Sequence, residues 1–162
     1  RARVSASGDG GPAIRPDGTV LGFDVGARRI GVAIGSAFGS GARPVAVVDV
    51  RDGAPDWPRI DQLVREWRPD GVVVGDPMTL DGGDQPIRKA ARAFARDLRE
   101  RTRLPVVMID ERNSSIEAAQ RFADARAGGR KRRRDADALD AMAAAIIVER
   151  WLAAPQDAVA VA

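Results

Sequence analysis

The sequence predicts one α/β domain, a five-stranded mixed sheet flanked by helices. Two observations carry this prediction. Three strand-like segments follow one another with short connections, and helices then alternate with short, continuously apolar strands. The length of 162 residues suits a single domain with an adequate core. We expect a disordered extension at residues 1–18, a folded domain at 19–152 and a flexible tail at 153–162.

The first two strands are predicted to form a hairpin that carries an acidic residue. Thr19–Val25 and Ile30–Gly35 are largely apolar, and Gly26 permits a tight turn between them. Asp24 lies inside the apolar first strand, where an unpaired buried carboxylate is costly. The residues leave two interpretations open: Asp24 binds a metal, or it caps the turn or pairs with an arginine such as Arg28.

The remaining elements alternate between strand and helix. A Gly- and Ser-rich loop over residues 38–43 is expected before a third strand at Val45–Val50. Asp56 is expected to cap a helix at Trp57–Trp67, where apolar residues recur at helical spacing. A strand, a helix, a strand and two helices should follow, at Val72–Gly75, Pro86–Arg101, Val106–Ile109, Ser114–Ala127 and Asp135–Leu152. This order is that of the ribonuclease H-like fold.

The composition excludes several kinds of chemistry. The chain has no histidine and no cysteine, so it has no Ser-His-Asp triad, no cysteine nucleophile and no ordinary zinc site. Hydrolysis would have to rest on carboxylates, lysine, hydroxyls or a hard metal bound through oxygen. No apolar run approaches the ~18 residues of a membrane span, and no apolar export signal begins the chain. We therefore expect a cytoplasmic protein with no membrane partner.

Acidic residues occur where strands end and within one helix stripe. Asp110 and Glu111 follow the fifth strand, at the edge where ligand sites of parallel sheets form. Their side chains point to opposite sides, so only one can join Asp24; Glu111 is favoured and Asp110 comes next. Asp76 ends the preceding strand, and Asp140 lies in the apolar stripe of the last helix. For any one of these acids taken alone, a cap or a surface salt bridge is the better explanation.

Converging carboxylates would predict a metal-dependent nuclease. Two or three of them would hold one or two Mg²⁺ or Mn²⁺ ions, and two metals about 4 Å apart would promote displacement at phosphorus. The formal charge of 26 − 23 = +3 is unevenly spread, with a basic run near residue 130. That run is either a solvated loop or a phosphate-binding patch. The candidate nucleic-acid-binding residues are Arg28, Arg29, Arg112, Arg130, Lys131, Arg132, Arg133 and Arg134.

An ordered set of motifs resembles the YqgF/RuvX family of pre-16S rRNA nucleases, also described as Holliday-junction-resolvase-like. The set keeps the family's order and spacing over about residues 20 to 152. Its members are Phe23-Asp24-Val25-Gly26 with Ile30-Gly31-Val32-Ala33, Ala42-Arg43-Pro44, Val74-Gly75-Asp76-Pro77 with Asp81-Gly82, Asp110-Glu111-Arg112 with Ser114-Ser115 and Glu117-Ala118, and Asp140 before Ala143-Ala144-Ala145-Ile146-Ile147.

This resemblance implies a ribonuclease H-like fold and a nuclease that trims precursor rRNA. It implies that Asp24, Glu111 and Asp140 are the metal-binding catalytic acids. The chain would be a monomer or a homodimer. Its partners would be precursor rRNA or branched DNA, and ribosomal particles.

The sequence departs from the family pattern at two positions. Asp76 stands where an apolar residue is more usual, and Asn113 replaces a bulky residue.

Three alternatives stay open. A resolvase of four-way DNA junctions would use the same acids. A hairpin with Asp24-Val25-Gly26 also resembles the phosphate-binding hairpin of actin and sugar-kinase ATPases, which need a second domain and a second phosphate loop. A nucleic-acid-binding module without catalysis is supported by the basic run, but buried acids without metal would repel phosphate. The chain has no tyrosine and few other aromatic residues for base stacking.

Overall fold

The structure, a computed structural model, describes residues 11–39, 41–77, 86–111, 118–121, 123 and 134–162, with the backbone alone described at 134 and 135. These residues contain strands β1 (Thr19–Val25), β2 (Arg29–Ser36), β3 (Gly41–Arg51), β4 (Ala54–Pro55), β5 (Gly71–Asp76), β6 (Val106–Asp110) and β7 (Val159–Ala160). They also contain helices α1 (Trp57–Trp67), α2 (Pro86–Thr102) and α3 (Arg134–Ala153), and a 3₁₀ turn at Pro155–Asp157.

The strands form one sheet in the order β4-β3-β2-β1-β5-β6-β7. β1, β2 and β3 are antiparallel neighbours, as a meander requires. β5 pairs with β1 and β6 pairs with β5, both in parallel, and α2 makes the crossover between β5 and β6. The C-terminal ends of β1, β5 and β6 therefore lie side by side at one edge of the sheet.

Alternation along the strands divides the sheet into two faces. Leu21 and Phe23 of β1 point into a core shared with α1 and α2, which includes Ile60 and Phe94. Val20 of β1 points to the opposite face. There it belongs to a second core, shared with Val73, Val107 and the α3 residues Ala144, Ile147 and Trp151. Helices α1 and α2 thus cover one face, and α3 covers the other.

Most of the predicted bounds of the helices and central strands are confirmed to within one or two residues. β1 and α1 have the predicted bounds, and the Asp56 side chain accepts a hydrogen bond from the Arg59 amide at 3.3 Å. α2, α3, β2, β5 and β6 extend the predictions by one or two residues. The capping box at Ser114 lies outside the described residues, although 118–121 are helical.

The sheet is larger than predicted, because seven strands occur among the described residues rather than five. β3 begins at Gly41, so residues 41–43 are strand and not the expected loop. The register of β2 against β3 shifts between Val32 and Ala33, which leaves a bulge beside Pro44. At this point β3 is an edge strand, and an edge strand with a bulge tolerates proline.

The chain after Pro155 is not an unstructured tail, so that expectation is wrong. Met108 and Val107 of β6 pair with Val159 and Ala160 of β7, and the Val161 amide donates to the Val106 carbonyl oxygen at 2.8 Å. The short β7 covers the β6 backbone groups that would otherwise be unpaired. Such a brief segment carries little periodicity of its own, which is why the sequence pattern missed it.

The chain before β1 also differs from the expected extension. Residues 1–10 lie outside the described residues, but Ile14 is buried in the α3-side core and packs where a Cβ at Gly71 would stand. The Thr19 amide donates to Asp70 Oδ2 at 2.8 Å. The limits 19–152 stay a prediction, although chain on both sides packs against this domain. Across the described ranges, no helix combines the length and apolarity needed to cross a membrane.

Candidate active site

A close approach of α3 to the sheet brings Asp140 beside Asp24. Asp24 of β1 pairs directly opposite Gly31 of β2. A Cβ atom at position 31 would overlap with the backbone carbonyl oxygen of Asp140, so only glycine allows α3 to come this near. Gly22, two residues before Asp24, likewise faces Val148 of α3. Asp24 and Asp140 therefore lie on the same face of the sheet, as strand alternation requires.

Glu111 reaches this face from the end of β6. Its backbone amide donates to the Asp76 carbonyl oxygen at 3.1 Å, which prolongs the β5–β6 pairing by one residue. Ile109, two residues earlier, packs on the α3 side, and Glu111 follows it in the alternation. The Glu111 Oε1 atom fills the space over Gly75, where a Cβ would overlap with it. Asp24 and Glu111 meet there and form a hydrogen bond through their side chains.

The meeting of Asp24 and Glu111 changes their ionisation. Burial raises the pKa of Glu111 to about 9, and the nearby charge of Asp24 together with the hydrogen bond between them acts in the same direction. Burial raises the pKa of Asp24 to about 6, while the hydrogen bond from Glu111 lowers it and the charge of Asp140 raises it. A hydrogen bond between two carboxyl groups needs a proton, so the metal-free pair shares one.

Asp140 is held by an arginine. The Arg29 Nε atom donates to Asp140 Oδ2 at 2.6 Å and lies 3.7 Å from Asp137 Oδ1. The side chains of Arg29 and Asp140 are 37% and 31% exposed, so this ion pair stands at the rim of the site. The hydrogen bond with Asp140 raises the pKa of Arg29 above its ordinary value. Arg29 was predicted to contact nucleic acid, but in this structure it is paired with an acid.

Asp76 and Asp110 stand apart from the Asp24–Glu111 pair. They pair opposite each other at the ends of β5 and β6 and alternate onto the α1/α2 side of the sheet. Arg88 of α2 donates to Asp76 Oδ1 at 2.8 Å, and both side chains are largely buried. The charge of Asp76 still raises the pKa of Glu111. The unusual acid at position 76 is thus matched by a buried arginine.

Two arginines near the site were not singled out by the sequence. Arg150 of α3 donates to the backbone carbonyl oxygen of Asp110 at 3.2 Å, and its charge lowers the pKa of Glu111. The other is Arg88 of α2, whose side chain is only 11% exposed. Arg150 follows Ile147 by three residues, so helical spacing from the buried stripe was a signal that could have found it.

The basic residues divide into described and undescribed positions. Arg28 lies in the turn between β1 and β2, and its carbonyl oxygen accepts from the Val50 amide at 2.8 Å. α3 begins at Arg134, of which only the backbone is described. The other predicted phosphate-binding residues lie outside the described residues: Arg112, Arg130, Lys131, Arg132 and Arg133.

The acidic side chains of the site are possible oxygen ligands for a divalent cation. In the part of the chain that the structure describes, no three acidic side chains form a ready-made metal cage. Arg29 holds one oxygen of Asp140. Glu111 Oε1, however, is buried and accepts no hydrogen bond from the described residues, and it belongs to a carboxyl group that touches Asp24. A hard divalent cation bound by oxygen atoms would coordinate Glu111 Oε1 and neutralise the charge of the Asp24–Glu111 pair. These two residues therefore fit a divalent cation.

The sheet order, the helices on both faces and the acids at the ends of its central strands define a ribonuclease H-like protein. The chain belongs to the RuvX family, whose model, described as a Holliday junction resolvase, matches residues 18–154. A protein of Xanthomonas axonopodis pv. citri (strain 306), named "Putative pre-16S rRNA nuclease", is 73% identical over 146 residues, which cover 90% of this chain and 94% of that protein. A protein of the same name from Xanthomonas euvesicatoria pv. vesicatoria (strain 85-10) is 72% identical over the same coverage.

Solved structures of Thermus thermophilus RuvC share the fold. RuvC alone superposes with a TM-score of 0.52 at 17% identity, over 88% of this chain and 99% of that one. RuvC in complex with a Holliday junction substrate gives a TM-score of 0.53 at 18% identity over the same coverage. These likenesses confirm the predicted fold class, and the family match confirms the resemblance drawn from the motifs.

Proposed function

We propose that this chain is a divalent-metal-dependent nuclease that hydrolyses phosphodiester bonds at the 5′ end of precursor 16S rRNA during ribosome biogenesis. The observation that carries the proposal is the buried pair Asp24–Glu111, in which Glu111 Oε1 has no donor among the residues that the structure describes. Two acids buried against each other weaken a fold unless a cation joins them. The names of the relatives favour precursor rRNA as the substrate.

Mg²⁺ or Mn²⁺ is the proposed cofactor, held by Asp24 and Glu111 with Asp140 as the third catalytic acid. When bound, the ion supplies a positive charge that stabilises the phosphate undergoing displacement. Asp110 and Asp76 are outer candidates, since both stand at the adjoining strand ends. Glu111 must give up the proton that it shares with Asp24 before it can act as a ligand.

The chain's own residues would orient the substrate and the acids. Arg28 is proposed to contact backbone phosphates beside β1, with Arg29, Arg112 and the basic segment Arg130–Arg134 extending the contact. Arg150 holds the end of β6 through the Asp110 carbonyl oxygen and so positions Glu111. We propose a cytoplasmic monomer or homodimer that meets its substrate on ribosomal particles.

The test compares two nucleic acids and removes the metal. Purified protein is incubated with precursor 16S rRNA or with a four-way DNA junction, in Mg²⁺, in Mn²⁺ and in EDTA. We expect cleavage of the RNA near its mature 5′ end, loss of cleavage in EDTA and recovery when metal is restored. Cleavage that continues in EDTA, or no cleavage of either substrate, would contradict the proposal.

Resolution of branched DNA is the second candidate. It is favoured by the description of the family and by the fold shared with RuvC. Faster cutting of the junction than of the precursor RNA, in symmetric pairs of nicks, would replace the first candidate with this one.

A further inference from the structure

We infer that Arg29 is an exchangeable counter-ion: it pairs with Asp140 in the metal-free protein, and it turns to a substrate phosphate when a divalent cation takes Asp140. This inference rests on the proposed metal-dependent function. It gives Arg29 the role of a positioning residue that couples metal binding to nucleic-acid binding.

The backbone of Arg29 is fixed while its side chain is not enclosed. Its carbonyl oxygen accepts from the Gly26 amide at 2.9 Å, and it pairs opposite Asp49 of β3. The side chain is 37% exposed and crosses from β2 to α3, where it meets Asp140 and, at 3.7 Å, Asp137. Ion pairs between partly exposed groups are weak and exchange readily, so this contact can be replaced without disturbing the sheet.

An open cleft lined by charges of both signs lies next to the ion pair. It has a volume of about 760 Å³ and lies between the β1–β2 turn, β3 and the start of α3. Arg28, Arg29 and Arg51 line it together with three acids, so Arg29 borders both the cleft and the acidic site. A change of side-chain rotamer is enough to move its guanidinium from a carboxylate to a phosphate, since both offer paired oxygens to its planar donors.

The balance of charge gives the exchange its direction. Without metal, Arg29 is the cation found on Asp140, and it occupies the Oδ2 atom that a metal would need. A divalent ion among Asp24, Glu111 and Asp140 supplies that positive charge itself. The attraction between the Arg29 guanidinium and Asp140 is then weaker. A phosphate that enters beside the ion then offers Arg29 a new anionic partner. Metal and Arg29 therefore compete for Asp140, whereas metal and substrate cooperate through Arg29.

The first test measures metal affinity by titration calorimetry with Mn²⁺ in the absence of nucleic acid. Arg29→Ala is expected to bind Mn²⁺ roughly three- to tenfold more tightly than the wild type, because the competitor is gone. In the Asp140→Asn background the same substitution should have no effect, since the shared partner is lost. Arg29→Lys should stay close to the wild type. Arg28→Ala is the matched control, an adjacent arginine of the same cleft, and should leave Mn²⁺ affinity unchanged.

The second test measures binding of a precursor rRNA fragment in EDTA and in Ca²⁺. Arg29→Ala should weaken binding in Ca²⁺ and have little effect in EDTA, because Arg29 is engaged with Asp140 when metal is absent. Arg28→Ala should weaken binding equally in both. A merely structural role for Arg29 would not produce this dependence on the cation.

The outcomes separate the inference from the proposed function. If the wild type binds Mn²⁺ but Arg29→Ala binds it equally or more weakly, or if its RNA affinity falls equally with and without cation, the exchange is refuted and the nuclease proposal stands. If the wild type binds neither Mn²⁺ nor Mg²⁺ saturably, the proposed function fails, and the exchange fails with it.

Discussion

Both faces of the sheet carry an apolar core, but they differ in what the strands present to the helices. On the α1/α2 face, Phe23 and Phe94 pack edge to face with ring centroids 5.3 Å apart, and Trp57 stacks on Phe94 at the same distance. On the α3 face, the strands present glycines that α3 and Glu111 approach so closely that a Cβ would overlap with them. The same edge of that face carries Asp24 and Glu111, whose pKa values are raised by burial.

This difference shows how one sheet divides stability from function. Aromatic and aliphatic burial on the α1/α2 face contributes favourable free energy of folding. The buried acids of the α3 face oppose folding in the metal-free protein, since burying charge is costly. The close approach that glycine permits is what places the acids within reach of one another.

Asp24→Asn should abolish function and spare the fold. Loss of a central metal-binding carboxylate is expected to reduce metal-dependent cleavage roughly ten-thousandfold, about 5.5 kcal/mol in activation free energy. Because the variant removes a buried acid, its melting temperature without metal should equal or exceed that of the wild type. Cleavage assays and thermal unfolding measure both. The matched control is Asp97→Asn, an exposed acid of α2, which should keep full activity; full activity in Asp24→Asn would refute the assignment of the site.

Phe94→Ala should show the opposite pattern. Phe94 is buried between Phe23 and Trp57, so its truncation leaves a cavity and should lower the free energy of unfolding by about 3–4 kcal/mol. Urea unfolding measures this loss. Cleavage per folded molecule should change little below the unfolding transition. A variant that stays folded but has lost its catalytic rate would mean that the two faces are not independent.

Glu111→Gln should stabilise the metal-free protein at alkaline pH while it removes activity. The pKa of Glu111 is raised from 4.5 to about 9, so the folded state keeps a proton that the unfolded state loses. Stability without metal therefore falls as the pH rises from 4.5 towards 9, and Gln removes that dependence. At pH 8 in EDTA the variant should gain about 1–3 kcal/mol in the free energy of unfolding, and at pH 4 it should gain nothing. Equal gains at both pH values would show that burial of charge is not the cause.

Local patterns predicted the fold well, because the signals lay in single elements. The apolar run before Asp24 and the helical spacing around Leu63 identified β1 and α1 within their observed bounds. Strand alternation also separated Glu111 from Asp110, and the structure places Glu111 on the α3 face with Asp24. The catalytic role of these acids stays a prediction.

Long-range pairing could not be predicted in the same way. Arg29 and Asp140 are 111 positions apart, and the sequence does not show which of its many arginines pairs with a given acid. The buried pair of Arg88 and Asp76 was not predicted, because the sequence does not show that the first turn of α2 lies beside the end of β5. β7 was missed because its pairing depends on the free edge of β6, not on its own residues.

Arg101→Ala should give the smallest effect and tests the outer boundary of the α1/α2 face. The Arg101 guanidinium carbon lies 4.6 Å from the Trp57 ring centroid, and Nη2 donates to Asp61 Oδ2 at 2.8 Å. Both contacts are partly exposed to solvent, so their loss should lower the free energy of unfolding by about 0.5–1 kcal/mol. Added salt should weaken the Asp61 pair but spare the packing on Trp57, and Arg101→Lys should recover part of the loss. Cleavage should be unchanged, because Arg101 lies at the opposite end of α2 from Arg88, the α2 residue that binds Asp76. A measurable fall in cleavage by folded Arg101→Ala would show that the apolar face transmits its packing to the acids, and the division between the faces would then be incomplete.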